Sequence, residues 1–146
     1  MTNEPSKAVI GAWIRLMRAQ QAILLKIERA LREAGLPPLS WYDVLWELDQ
    51  AAGKGLRPFE IERQMLIAQS NISRLIDKLE ATGYVERSPC EQDGRGQIVV
   101  ITEAGRTMRK RMWPVYAEAI GTAIGARISD GEAESLSALL DRLLER

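Results

Sequence analysis

The stretch from Phe59 to Thr102 constrains the fold more than any other, because its apolar pattern switches from helical to extended within a few residues. In Gln69–Glu80 the apolar residues Ile72, Leu75, Ile76 and Leu79 recur at the three- and four-residue steps of one helical face. The opposite face carries Gln69, Ser70, Asn71, Ser73 and Arg74, with Lys78 a turn later. Short hydrogen-bonding side chains beside a guanidinium are the chemistry that reads base edges in a major groove. A solvated amphipathic helix has the same look, and this helix alone leaves the two readings balanced. Gly83 can end the helix in a left-handed conformation. Tyr84–Arg87 then alternates like a strand, Gln92–Gly96 is a turn with Arg95 at its tip, and Ile98–Ile101 is a β-branched run. The pattern predicts a helix-turn-helix followed by a β-hairpin, or wing. The second helix would enter the major groove. Asp93 and Arg95 are the candidate wing contacts, with the arginine suited to the negative potential of a flanking minor groove or the backbone.

Around this segment the chain reads as helices. Lys7–Ala34 has Ile10, Trp13, Met17, Leu24, Ile27 and Leu31 along one stripe, interrupted at Gln20-Gln21. That stripe is either an ordinary core face or one that partly meets a second subunit. Gly35 and Pro37-Pro38 stop it. Ser40 with Asp43 looks like a capping box for a helix over Trp41–Ala52. Leu56-Arg57 is a candidate edge strand beside the wing, and Pro58 opens a helix reaching about Leu66. Thr102 can cap a helix from Glu103 to about Arg127, with a kink expected at Pro114. Ser129 and Glu132 form a second capping box, ahead of a helix over Asp130–Glu145 with Leu136, Leu139, Leu140, Leu143 and Leu144 on one broad face.

The residues Ile72–Glu80, Gly83–Arg87, Asp93-x-Arg95-Gly96 and Val100–Gly105 stand in the order and spacing of the multiple antibiotic resistance regulator (MarR) family, which the chain resembles from about residue 7 onward. The resemblance implies a mainly α, α+β fold: a winged helix-turn-helix with a small antiparallel β-wing, plus N- and C-terminal helices that form a dimerisation region. It implies one domain over residues 1–146, with the winged DNA-binding region at 38–102 and the dimerisation helices at 7–35 and 103–145. It also implies a homodimeric transcription regulator on a double-stranded DNA operator, usually a repressor, and often released by small aromatic anions. Two residues depart from the family pattern. Ala68 stands where a capping serine is common, so that Ser70 could cap instead and the helix could start later. Glu62 stands where a small residue is usual, which puts a charge near the helix–helix contact or tilts that contact outward.

Charge is the weak side of a DNA reading, since 20 Lys and Arg balance 20 Asp and Glu. Affinity would then rest on few phosphate contacts per subunit and need both subunits. The same neutrality leaves room for a winged-helix protein-interaction module that does not bind specific DNA. An enzyme is the least supported class. The chain has no histidine, no metal-ligand cluster and no phosphate-binding glycine loop, and no cofactor is expected. A single cysteine, Cys90, rules out an intramolecular disulfide. Family members that sense peroxide use a cysteine in the first helix, where this chain has none, so Cys90 reads as a structural or incidental thiol. No secretory leader or membrane-spanning run is evident, and a cytoplasmic location is expected. Trp13, Trp41, Tyr42, Trp46 and Trp113, with Arg15 or Arg18 as anion partners, are candidates for an effector cleft. Alternatively, the rings are core packing and Arg15 a solvated charge.

Overall fold

The computed structural model describes residues 3–89 and 96–145. Its elements are α1 Lys7–Glu33, α2 Leu39–Gln50, α3 Pro58–Gln64, α4 Ile72–Thr82, β1 Val85–Pro89, β2 Gln97–Ile101, α5 Glu103–Ile120 and α6 Asp130–Leu144. This is the mainly α winged helix-turn-helix architecture, with a two-stranded antiparallel wing. Two compact units divide the chain: Leu31–Val115, and a unit made of Met1–Ala30 with Tyr116–Arg146. No helix of the described residues is long and apolar enough to cross a membrane.

The Leu31–Val115 unit is built on one apolar cluster. Val44, Leu45 and Leu48 of α2, Ile61 of α3, and Leu75, Ile76 and Leu79 of α4 meet Val85, Val99 and Ile101 of the strands. Each such aliphatic side chain stabilises the fold by roughly 1.5–3 kcal/mol relative to its exposed state. The wing is in register from Val85 opposite Ile101 to Pro89 opposite Gln97. Leu56 adds a third edge by exchanging both backbone hydrogen bonds with Val99, at 2.9 and 2.8 Å.

Local chemistry sets the helix–wing junction. Gly83 takes φ 88°, the left-handed cap that reverses the chain after α4. Thr102 then locks both ends of the wing together. Its hydroxyl donates to the Gly83 carbonyl at 2.6 Å and accepts from the Gly105 N–H at 3.1 Å. Gly105 lies so close to the chain at Tyr84 that an added Cβ would sit 2.3 Å from the Tyr84 carbonyl oxygen.

In the other unit, α5 passes into a π-helical turn at Gly121–Gly125 and α6 follows. The expected capping box is present: Ser129 Oγ accepts from the Glu132 N–H, and Glu132 Oε1 accepts from the Ser129 N–H. The carboxylate of Glu132 is held below its ordinary pKa by these bonds. No side chain of α6 is buried, and Leu139 and Leu143 are 56% and 70% exposed. Along α1, Trp13 is 62% exposed and Val9 and Ile10 are also exposed.

Three expected boundaries change. Helix α2 starts at Leu39, so Ser40 lies inside it and does not cap it. Asp43 is not a capping partner either: it is buried and bonds to residues 24 positions away, as described below. Helix α3 ends at Gln64, two residues early, because Met65 turns to an extended conformation. Helix α5 continues through Pro114 to Ile120.

Candidate nucleic-acid interface

Helix α4 presents two chemically distinct faces. Leu75, Ile76 and Leu79 are buried in the core, whereas Ser73, Arg74, Asp77 and Lys78 are exposed. Its N-cap is Asn71, whose φ of −143° is not helical and whose side-chain oxygen accepts from the Arg74 N–H at 3.0 Å. Asparagine is among the strongest N-caps, and here it ends the helix one residue inside the position expected for Ser70. Gln69 and Ser70, expected on the helix, therefore belong to the turn before it; Ser70 is exposed and Gln69 half-buried. Glu62 points outward and Ala68 is exposed, so neither departure from the family pattern disturbs the α3–α4 packing.

The turn has an anchor of its own. Asp43 of α2 is 4% exposed, and its Oδ2 accepts from the Ile67 N–H at 3.1 Å. Burial raises its pKa from the ordinary value, against the opposing pull of backbone hydrogen bonds from Ile67 and Leu66. Glu47, one turn further along α2, is also raised, first by burial and then by the charge of Asp43. A buried carboxylate needs such donors, because leaving it unbonded would cost several kcal/mol, on the order of 2–7 even for a neutral polar group.

On the wing side, Arg87 of β1 bonds Asp77 at 2.5 Å and Glu80 at 2.7 Å. Burial disfavours the Arg87 charge, but the two carboxylates outweigh it and its pKa is raised. This one guanidinium pairs with both acids of α4 and offsets one of their two charges, so Arg74 and Lys78 are the cations left on its exposed face. The expected wing contacts Asp93 and Arg95 lie outside the described residues, as does Cys90.

A model of the MarR family matches residues 34–96, which span α2, α3, α4 and β1. That segment of the chain is similar to the MarR family. Among curated proteins that the chain resembles, the HTH-type transcriptional regulator PrsX of Escherichia coli is 36% identical over 73 residues, 50% of this chain and 44% of PrsX. The HTH-type transcriptional repressor IacR of Pseudomonas putida is 28% identical over 130 residues, 89% of this chain and 73% of IacR. The match spans less than half the length of PrsX. Among solved structures, the MarR family regulator Sco3205 of Streptomyces coelicolor, determined in complex with DNA, shares the fold at a TM-score of 0.86 and 24% identity. That likeness covers 99% of this chain and 92% of Sco3205. Members of the MarR family are transcription regulators rather than enzymes.

The aromatic residues of the chain separate into groups. Tyr42 stacks between Trp46 and Trp113, with ring centroids 6.4 and 6.1 Å apart. Arg109 of α5 lies over the Trp46 ring at 5.4 Å, and its Nε bonds Asp49 at 2.7 Å. Arg106 approaches the same carboxylate at 3.5 Å. Trp41 is not in this pile: it packs on the winged core, edge-on to Tyr84 at 6.0 Å. Trp13 and Arg15 belong to the other compact unit, where Arg15 bonds the Gly11 carbonyl at 3.1 Å. The cation that meets these rings is thus Arg109, rather than Arg15 or Arg18. Its signal was legible: Arg109 and Trp113 are four residues apart and share one face of α5.

Proposed function

We propose that this chain is a homodimeric, sequence-specific DNA-binding transcriptional repressor whose release from DNA is driven by a small aromatic anion. The observation that carries the DNA reading is the exposed face of α4. Asn71, Ser73, Arg74 and Lys78 stand opposite a buried apolar face, and Arg87 pairs with the two acids that would repel phosphates and offsets part of their charge. The DNA complex of Sco3205 supports the same use of the fold. The repressor name of IacR supports the sign of regulation. Exposed leucines along α6 and the exposed apolar residues of α1 support a second copy as partner, because so much bare apolar surface is unfavourable in water. The Tyr42–Trp46–Trp113 pile with Arg109 supports an aromatic carboxylate as effector: rings to stack on and a guanidinium to pair with.

Fluorescence anisotropy tests this reading. The purified protein is titrated against a labelled duplex from the region upstream of its own gene and against a scrambled duplex, across a salt series. Preference for the native duplex with one dimer per site is the expected result. Equal, weak binding to both that vanishes at moderate salt would instead indicate a winged-helix module for a protein partner. A reporter fused to the bound promoter then reads the sign: derepression on deleting the gene is expected.

A further inference from the structure

We infer that Asp43 is the positioning residue of the candidate DNA interface: from α2 it holds the corner between α3 and α4 and thereby sets the aim of the recognition helix. This rests on the DNA-binding reading proposed above. Four observations carry it. Asp43 is the buried charged residue of the described chain, so its place is not incidental. Its Oδ2 accepts from the Ile67 N–H at 3.1 Å, and Leu66 supplies a second backbone bond. Met65 packs on the core and bonds Ile61 before the corner, but beyond it Leu66 is 81% exposed and Ala68 and Ser70 are exposed, so the Asp43 bond is the anchor of this later part. Finally, the anchored residue Ile67 lies only four positions before the Asn71 cap, so a shift of the corner is passed directly to the start of α4.

The arrangement also explains how the chain tolerates Ala68. A serine there could bond the backbone of the corner from within. Here the acceptor is a carboxyl oxygen that comes from a different helix. Tyr42 and Trp46 lie next to Asp43 and Glu47 along α2, so the aromatic pile and the corner anchor are carried by one rigid element.

The test uses Asp43→Ala, which removes the acceptor, and Asp43→Asn, whose carbonyl oxygen keeps it. Amide hydrogen exchange is read at Leu66 and Ile67, and anisotropy at a preferred and a scrambled duplex. The Ala variant is expected to lose protection at Ile67 and to lower the preferred-to-scrambled affinity ratio by about tenfold or more, the size of a lost base contact. The Asn variant is expected to restore both. If Asp43→Ala does not fold, Asp43→Ser, whose shorter hydroxyl does not span the gap, takes its place. Unchanged protection at Ile67 in the Ala variant overturns the proposal. So does lost protection with an unchanged affinity ratio, which would make the contact one of packing only. If the wild-type protein prefers no duplex, the DNA reading fails instead, and the exchange measurement still decides whether Asp43 holds the corner.

Discussion

Arg74 and Arg87 carry the same charge and do opposite work. The guanidinium of Arg87 is committed to Asp77 and Glu80, while that of Arg74 is exposed and makes no ion pair among the described residues. Arg74→Ala is therefore expected to weaken binding of the preferred duplex by about 1–3 kcal/mol while leaving scrambled DNA less affected, as anisotropy would show. Arg87→Ala acts differently. Asp77 is 65% exposed, and ion pairs of this kind are worth only about 0–1 kcal/mol to stability. Its urea midpoint should barely move, yet binding to every duplex should weaken, because two uncovered carboxylates then face the phosphates. An unchanged affinity for scrambled DNA would remove Arg87 from the interface. Asp43 makes a separate prediction in pH. Its folded pKa is raised above 3.8 by burial, so the folded chain holds this proton more tightly than the unfolded chain. The stability it contributes is complete below that ordinary value and is lost as pH rises through the raised folded value. Urea titrations across pH should show wild-type stability falling relative to Asp43→Asn over that window and then running parallel to it.

At the scale of elements, helix ends and close approaches decide the winged unit. The cap at Asn71 satisfies the Arg74 N–H, and Asn71→Ala is expected to cost about 1 kcal/mol and to fray the turn that carries Ser73 and Arg74. Gly83 and Gly105 fail for different reasons. An added methyl at Gly83 meets nothing within 4 Å, so Gly83→Ala should cost only the left-handed backbone, roughly 1–2 kcal/mol. At Gly105 it would meet the Tyr84 backbone, so α5 must move away from the wing. Thermal unfolding should rank Gly105→Ala as the more damaging change; the reverse order would mean that the α5–wing junction is slack.

For the whole molecule, oligomeric state is the first consequence of the proposed function. Leu139 and Leu143 lie on the broad apolar face of α6, where no side chain is buried within the chain. Leu139→Glu with Leu143→Glu is expected to yield monomer in sedimentation equilibrium and to lower Tm, since a dimer shields this surface and a monomer does not. A double variant that remains a dimer at micromolar concentration would locate the partner surface elsewhere. Under the proposed function a dimer would also matter for affinity: with no net charge on the chain, two subunits docking on successive major grooves about 34 Å apart would raise weak phosphate attraction to specific binding.

The winged helix-turn-helix was legible in the chain because its signals are local. A helical apolar stripe at Ile72, Leu75, Ile76 and Leu79, a glycine stop at Gly83, a β-branched run at Ile98–Ile101 and the Ser129–Glu132 box each act within one turn or one strand. The edge pairing of Leu56 was legible for the same reason, from extended residues just ahead of Pro58. What the tertiary structure alone decided are partnerships between distant residues. Asp43 looks like a local cap partner until the fold brings it to Ile67. Trp41 and Tyr42 are neighbours in sequence, yet adjacent helix positions point about 100° apart, so one joins the core and the other the aromatic pile. Arg109 meets Asp49 across 60 residues. Periodicity tells which face of an element is apolar, but only packing selects which polar group on a distant element comes within hydrogen-bonding reach.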